Sequence, residues 1–272
     1  MTSTATPTHP LDVALELEPV GDGTVTGRTT EAYANMVGPF GGITAATMLT
    51  AALRHPERLG DPVSLTVNFA GPVADGPFTI DARPTRTNNS TQHWTIEMTQ
   101  DGVVATTATA VFAIRRETWS STEVAPPVAP PAESVALTPG PEFIRWMSNY
   151  DLRFVDGGMT EIDGESDDST TTLWIRDNPA RALDFSSLTA LCDSFYPRVF
   201  LRRGQMCPAG TVSLTIYFHV DADALAEQGD DAVLATARAQ HFGRSYFDQS
   251  AELWGRDGTL LATSHQVMYF KV

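Results

Sequence analysis

Cysteine is nearly absent from this chain. Of 272 residues only Cys192 and Cys207 carry a thiol, and no Cys or His cluster has metal-ligand spacing. That removes the sequence case for a structural metal or a redox pair. Basic charge is also scarce, with 18 Lys and Arg against 33 Asp and Glu, a net charge of −15. Such a balance excludes non-specific binding to nucleic acid or an anionic membrane, which needs a basic face. Long apolar runs are missing too. The longest, Ile43–Leu53, carries threonines and falls far short of the ~20 residues that span a bilayer. Met1–Pro10 reads as a frayed start with neither the basic opening nor the apolar stretch of a secretory leader. Together with the two thiols this points to the cytoplasm and to no disulfide. What remains is 42% hydrophobic and 19% charged, a globular composition whose length suits two domains.

The chain contains one pattern twice. Val63-Ser64-Leu65-Thr66-Val67-Asn68-Phe69 and Val212-Ser213-Leu214-Thr215-Ile216-Tyr217-Phe218 lie 149 residues apart and share five of seven positions. Both alternate β-branched and polar residues, as half-buried strands do. Downstream, Asp101-Gly102 and Asp257-Gly258 are hairpin turns 156 residues apart. Upstream, Phe40-Gly41-Gly42 and Phe185-Ser186-Ser187, 145 apart, each open a helical run.

The spacing predicts a strand over 23–33, a helix over 41–54, and strands over 64–70, 78–87, 91–100 and 103–114. Pro84 should bend its strand or place it at an edge. From Arg116 to Pro141 six prolines mark an extended linker, expected to lie as a strap across a surface because Trp119 would otherwise be exposed. The second half predicts a short helix over 141–147, a strand over 152–155, an acidic turn over 160–169 and a strand over 170–176. A helix capped by Asp184 should run from Phe185 to about Phe200, followed by strands opening at Thr211, Val233, Ser245 and Leu260. Each half is thus an antiparallel sheet with one helix apolar enough to be wrapped by it. The expectation is an α+β double hotdog, two antiparallel sheets each wrapping a long central helix. Its domains would be 11–115 and 142–272, joined by the linker 116–141.

This order resembles the acyl-CoA thioesterase II family, double-hotdog enzymes that hydrolyse acyl-CoA to a free acid and CoA. Phe40-Gly41-Gly42, Trp174-Ile175-Arg176 and Phe218-His219 resemble the family's motifs at the first helix, the strand before the second helix and the end of the next strand. Val220-Asp221 departs from the basic-Pro pair that usually follows. The resemblance implies a catalytic Asp on the second helix, a Thr or Ser opening the next strand and a Gln on the last strand. By motif position these are Asp193, Thr211 and Gln266. The internal repeat places Met48, Pro62 and Ala110 opposite them, so the first copy lacks all three polar groups. One catalytic centre per chain follows, built mainly by the second half.

The residue types suit the chemistry. A thiolate whose conjugate acid has a pKa of about 8.5 leaves without a strong general acid. The reaction needs a positioned water and donors for the oxyanion. Asp193 would take a proton from the water, while Thr211 and Gln266 orient it. Backbone N–H groups at a helix N-terminus would complete the oxyanion site. Burial should raise the pKa of Asp193. Each residue also has a plainer reading, as a local hydrogen-bonding Asp, a strand-opening Thr and a solvated strand Gln. His219, His241 and His265 read as ordinary strand side chains. Arg115-Arg116 and Arg202-Arg203 read as solvated charge or, for the second pair, as contacts for CoA phosphates. No cofactor is called for. Expected partners are acyl-CoA and a second copy of the chain, with no nucleic acid and no membrane span. Two rival functions are a non-catalytic acyl-ligand binder and a hotdog hydratase. Asp177-Asn178-Pro179 resembles part of the hydratase motif, but Arg181 stands where that motif needs His.

Overall fold

The structure is a computed structural model and describes residues 8–271. After a one-turn helix α1 (Pro10–Ala14) the first half runs β1 (Glu18–Gly21), β2 (Thr24–Arg28), α2 (Gly41–Leu53), β3 (Asp61–Phe69), β4 (Pro77–Thr87), β5 (Thr91–Gln100) and β6 (Val103–Ala113). The second runs β7 (Tyr150–Asp156), β8 (Thr171–Asp177), α3 (Phe185–Leu191), α4 (Arg198–Arg203), β9 (Ala209–Phe218), α5 (Ala222–Gln228), β10 (Val233–Arg238), β11 (Phe242–Gly243), β12 (Tyr246–Trp254) and β13 (Leu260–Phe270). None of the helices among the described residues is long and apolar enough to cross a membrane.

The double hotdog is built as one continuous antiparallel sheet rather than two separate ones. Its order is β1-β2-β4-β5-β6-β3-β9-β13-β12-β10-β8-β7, with β11 on the β12 edge. The halves meet where β3 pairs with β9, and these are the two repeated strands. Thr66 faces Thr215, flanked by Ser64 against Tyr217 and Asn68 against Ser213. The pairing is therefore symmetric about Thr66 and Thr215, whose hydroxyls lie 3.1 Å apart. This is a pseudo-twofold axis, and it explains why the repeated segment is the one matched best. The flanking registers extend it. Thr109 faces Thr66 as His265 faces Thr215, which equates β6 with β13 and Ala110 with Gln266.

Helices α2 and α3 pack antiparallel against each other under the sheet. Their contact is close because α2 presents Gly, Ala and Thr. A Cβ at Gly42 would lie 2.7 Å from the Ala190 carbonyl, a distance that excludes any side chain. Thr50 and Ser186 hydroxyls bridge the helices at 2.9 Å. Pro84 sits at a register shift against β5, and β2 covers β4 only as far as Asp81, so the strand beyond it is an edge.

Three expectations change. The first strand is a hairpin, β1–β2, ending before a 3-10 turn at Glu31–Tyr33. The expected helix over 185–200 stops at Leu191 and restarts at Arg198. Pro197 has no N–H, and its ring would clash with the carbonyl four residues back, that of Asp193. The break opens earlier still, after Leu191, and Asp193 sits in the turn that follows the helix, not on it. The linker does lie along the second half. Trp174 Nε1 donates to Pro130 O at 2.8 Å, Arg153 to Val135 O at 2.6 Å, and Thr138 N to Leu152 O at 2.8 Å. The reason offered for it fails, since Trp119 is 84% exposed. Backbone and indole hydrogen bonds hold the strap, not that ring.

Candidate functional site

The head of α2 is unusual for lacking a cap. Phe40 precedes it and supplies no side-chain hydrogen bond, so the first N–H groups of the helix need acceptors from elsewhere. Asp193 approaches them from the other half of the chain. A Cβ on Gly41 would lie 2.7 Å from Asp193 Oδ2, and the Gly42 N–H lies close enough to the same carboxylate to favour its charged form. The positive end of the helix favours a carboxylate there. Gly41 lets the carboxylate reach the helix end, while Gly42 admits the Phe40 ring and the Ala190 carbonyl. Sequence reasoning placed both glycines in a motif but not in the site. A Gly-Gly pair in the first turn, with no capping residue before it, was the available signal.

On its other side Asp193 meets the sheet. Gln266 Nε2 donates to Asp193 Oδ1 at 2.9 Å. Thr211 Oγ1 donates to Gln266 Oε1 at 3.1 Å. The hydroxyl on β9 thereby fixes which end of the β13 amide faces the carboxylate. All three residues singled out in the sequence come together in one hydrogen-bonded chain. Gln266 is fully buried, Asp193 nearly so and Thr211 half-buried. Burial raises the pKa of Asp193 to about 7, against the opposing pull of the Gln266 and Gly42 donors. The carboxyl therefore changes charge near neutral pH.

The pseudo-symmetric position is closed. Met48 and Ala110 are buried in the main apolar core where Asp193 and Gln266 stand in the second copy. Ser186 and Ser187 occupy the places of Gly41 and Gly42. There the helix head is capped from its own half, Ser187 N donating to Asp184 Oδ1 at 2.8 Å, and Cβ atoms are tolerated.

Other candidates fall outside the site. His219 Nε2 lies 3.0 Å from Thr263 Oγ1. His265 lies 3.6 Å from Asp248. Arg115 donates to Pro62 O and Phe218 O, at 3.3 and 2.6 Å, across the joint between halves. Arg202 binds Ser166 O and faces Asp167. Asp177 accepts from Ser187 Oγ at 2.6 Å, while Arg181 is engaged by Asp12 and Asp184. The hydratase-like segment thus brings no imidazole to its carboxylate through Arg181. No group of three or more His, Cys, Asp or Glu among the described residues is fit to hold a metal.

Family models match both halves of the chain. Residues 30–113 match the acyl-CoA thioesterase N-terminal domain, and residues 123–270 match the acyl-CoA thioesterase C-terminal domain. The chain belongs to the acyl-CoA thioesterase family. The C-terminal match begins inside the strap, in keeping with the hydrogen bonds that tie the strap to that half. Among solved structures, a conserved hot-dog-fold protein of unknown function from Alicyclobacillus acidocaldarius is 50% identical, with 98% of this chain and 99% of that one covered and a TM-score of 0.94. The tesB protein of Mycobacterium avium subs paratuberculosis is 20% identical over 96% and 98% of the two chains, with a TM-score of 0.79. An acyl-CoA thioesterase II, TesB2, of Mycobacterium marinum is 19% identical over 96% and 98%, with a TM-score of 0.73. These last two share the fold. No curated protein sequence matches this chain. Membership in this family supports thioesterase activity in general.

Proposed function

We propose that the protein hydrolyses an acyl-CoA thioester to the free carboxylic acid and CoA, at one centre per chain. The observation that carries this is the Asp193–Gln266–Thr211 chain set against the head of α2, present in one copy of the repeat and replaced by apolar residues in the other. Ionised Asp193 accepts a proton from a water molecule as the water oxygen attacks the thioester carbonyl carbon. The carbonyl π electrons move to oxygen, and N–H groups at the head of α2 face the resulting negative charge. Collapse of the tetrahedral intermediate re-forms the carbonyl and breaks the C–S bond. The electron pair leaves on sulfur as the CoA thiolate, which takes up the proton with the help of Asp193 or solvent. A carboxyl with a pKa of about 7 suits both roles, since it gives and takes a proton near neutral pH. Gln266 and Thr211 hold the carboxylate and the water in register.

The test is a thiol-release assay across short, medium, long and aromatic acyl-CoAs, with Asp193→Asn alongside. The reading requires turnover of at least one class and its loss in the variant, with acyl-CoA binding kept within a few fold. Binding without turnover by the parent would instead make the protein an acyl-ligand binder.

A further inference from the structure

The polar layer around Asp193 has a further member. Gln249 on β12 stands directly across from Gln266 on β13. Both point to the core face, and each is 1% exposed. Side chains paired this way have Cβ atoms about 5 Å apart. Gln249 Oε1 accepts from Arg198 Nε at 3.3 Å. Arg198 is fully buried, five residues beyond Asp193; its Nε–H is shared between Gln249 Oε1 and Tyr196 O, the latter at 3.1 Å, and its other donors go to Tyr196 O, Ser169 O and Thr171 Oγ1. A guanidinium only donates, so it dictates which end of the Gln249 amide faces it. The other end, Nε2, is buried with no hydrogen-bond partner.

An unmet buried donor destabilises the fold, and an apolar side chain would remove that cost. The first copy has taken that course. The register equates Gln249 with Trp94, which faces Ala110 as Gln249 faces Gln266. Trp94 has its own acceptor, Gln92 Oε1 at 3.0 Å, and it joins Met48, Ala110 and Phe112 in one unbroken core. In the second copy the layer of Gln249, Gln266 and Arg198 separates a small cluster of Val199, Phe200, Phe247, Met268 and Phe270 from the main core. The repeat therefore differs at a fourth position beside the three already assigned, and the donor placed there has nothing to bind in the free protein.

We propose that Gln249 is a catalytic residue: its Nε2–H donates to the carbonyl oxygen of a thioester held beside Gln266 and Asp193, with Arg198 as the positioning residue that turns the amide. The proposal rests on the thioesterase reading above. The hydrogen bond strengthens as the carbonyl oxygen gains charge, and no proton leaves Gln249.

Gln249→Glu separates this role from a structural one. The carboxylate keeps an oxygen toward Arg198, whose charge holds it ionised, and it replaces the free donor with an acceptor. Steady-state kinetics are run on the acyl-CoA that the wild type turns over best, beside Asp193→Asn and with thermal unfolding of each protein. The expected result is a kcat about 100-fold lower, a KM within about threefold and no loss of thermal stability. A residue that only anchors Arg198 would leave kcat intact in this variant and lose stability in Gln249→Leu. A kcat within twofold of wild type for Gln249→Glu, while Asp193→Asn is inactive, overturns the proposal and leaves the thioesterase reading standing. A wild type that turns over no acyl-CoA overturns both. Should Gln249→Glu fail to fold, Gln249→Met also lacks the donor and decides the question on kcat.

Discussion

Replacing Asp193 by Asn should make stability less dependent on pH while abolishing turnover. The carboxyl is 8% exposed and its pKa stands at about 7, raised from 3.8 chiefly by burial. An acid with a raised folded-state pKa binds its proton more tightly folded than unfolded. Its contribution to stability is fully present below the unfolded value and is lost as pH rises through the folded one. A shift of about 3 units corresponds to about 4 kcal/mol, lost between roughly pH 4 and pH 7. Asn has no such titration. If its amide nitrogen faces Gln266, that donor loses its partner, at about 1–3 kcal/mol that does not vary with pH. The difference in unfolding free energy between Asp193→Asn and wild type should therefore move in favour of the variant by about 4 kcal/mol from pH 4 to pH 8. For a chain of this size that is about 8 °C in Tm. Thermal unfolding of both proteins at unit steps of pH measures it. The same group should give kcat/KM a rising limb with its midpoint near pH 7. A stability difference that stays flat from pH 4 to pH 9 would refute the buried, raised carboxyl on which the mechanism depends.

Gly41→Ala places a Cβ 2.7 Å from Asp193 Oδ2. It should lower kcat by more than about 10-fold while the chain still folds, which far-ultraviolet circular dichroism beside the rate assay will show. Thr211→Val removes the donor that orients Gln266 and should lower kcat by about 10-fold, with Thr211→Ser close to wild type. An equal loss in the serine variant would assign the effect to shape rather than to the hydroxyl. Arg115→Ala leaves the Pro62 and Phe218 carbonyls without that donor. It should cost about 1–3 kcal/mol in urea unfolding, with kcat unchanged.

Much of the frame was legible because the sequence carries it twice. The matched segments at Val63 and Val212 turned out to be β3 and β9, the two strands that join the halves. Elements with strong periodicity and clear stops, such as α2 and β5, were readable to within a residue or two. The missed elements had local causes. Pro10–Ala14 is too short to show a period, and β1 is fully exposed, so no apolar alternation marks it. The stripe Leu188, Leu191, Cys192 and Phe195 suggested a helix that Pro197 forbids. The three polar residues read from the sequence lie together in one hydrogen-bonded chain. Gly41, beside which Asp193 fits, was not singled out, because its contribution is to be small. Gln249 was not found either, because a glutamine in a strand looks solvated until the register shows it facing the core.

Each centre in this architecture needs a helix head from one half and a carboxylate from the other. In a pair of identical separate chains, any substitution would appear at both centres at once. Fusion into one polypeptide frees the two from each other. One helix head can hold Gly41-Gly42 beside Asp193 while its twin holds Ser186-Ser187 capped by Asp184, and either pair can change without altering the other.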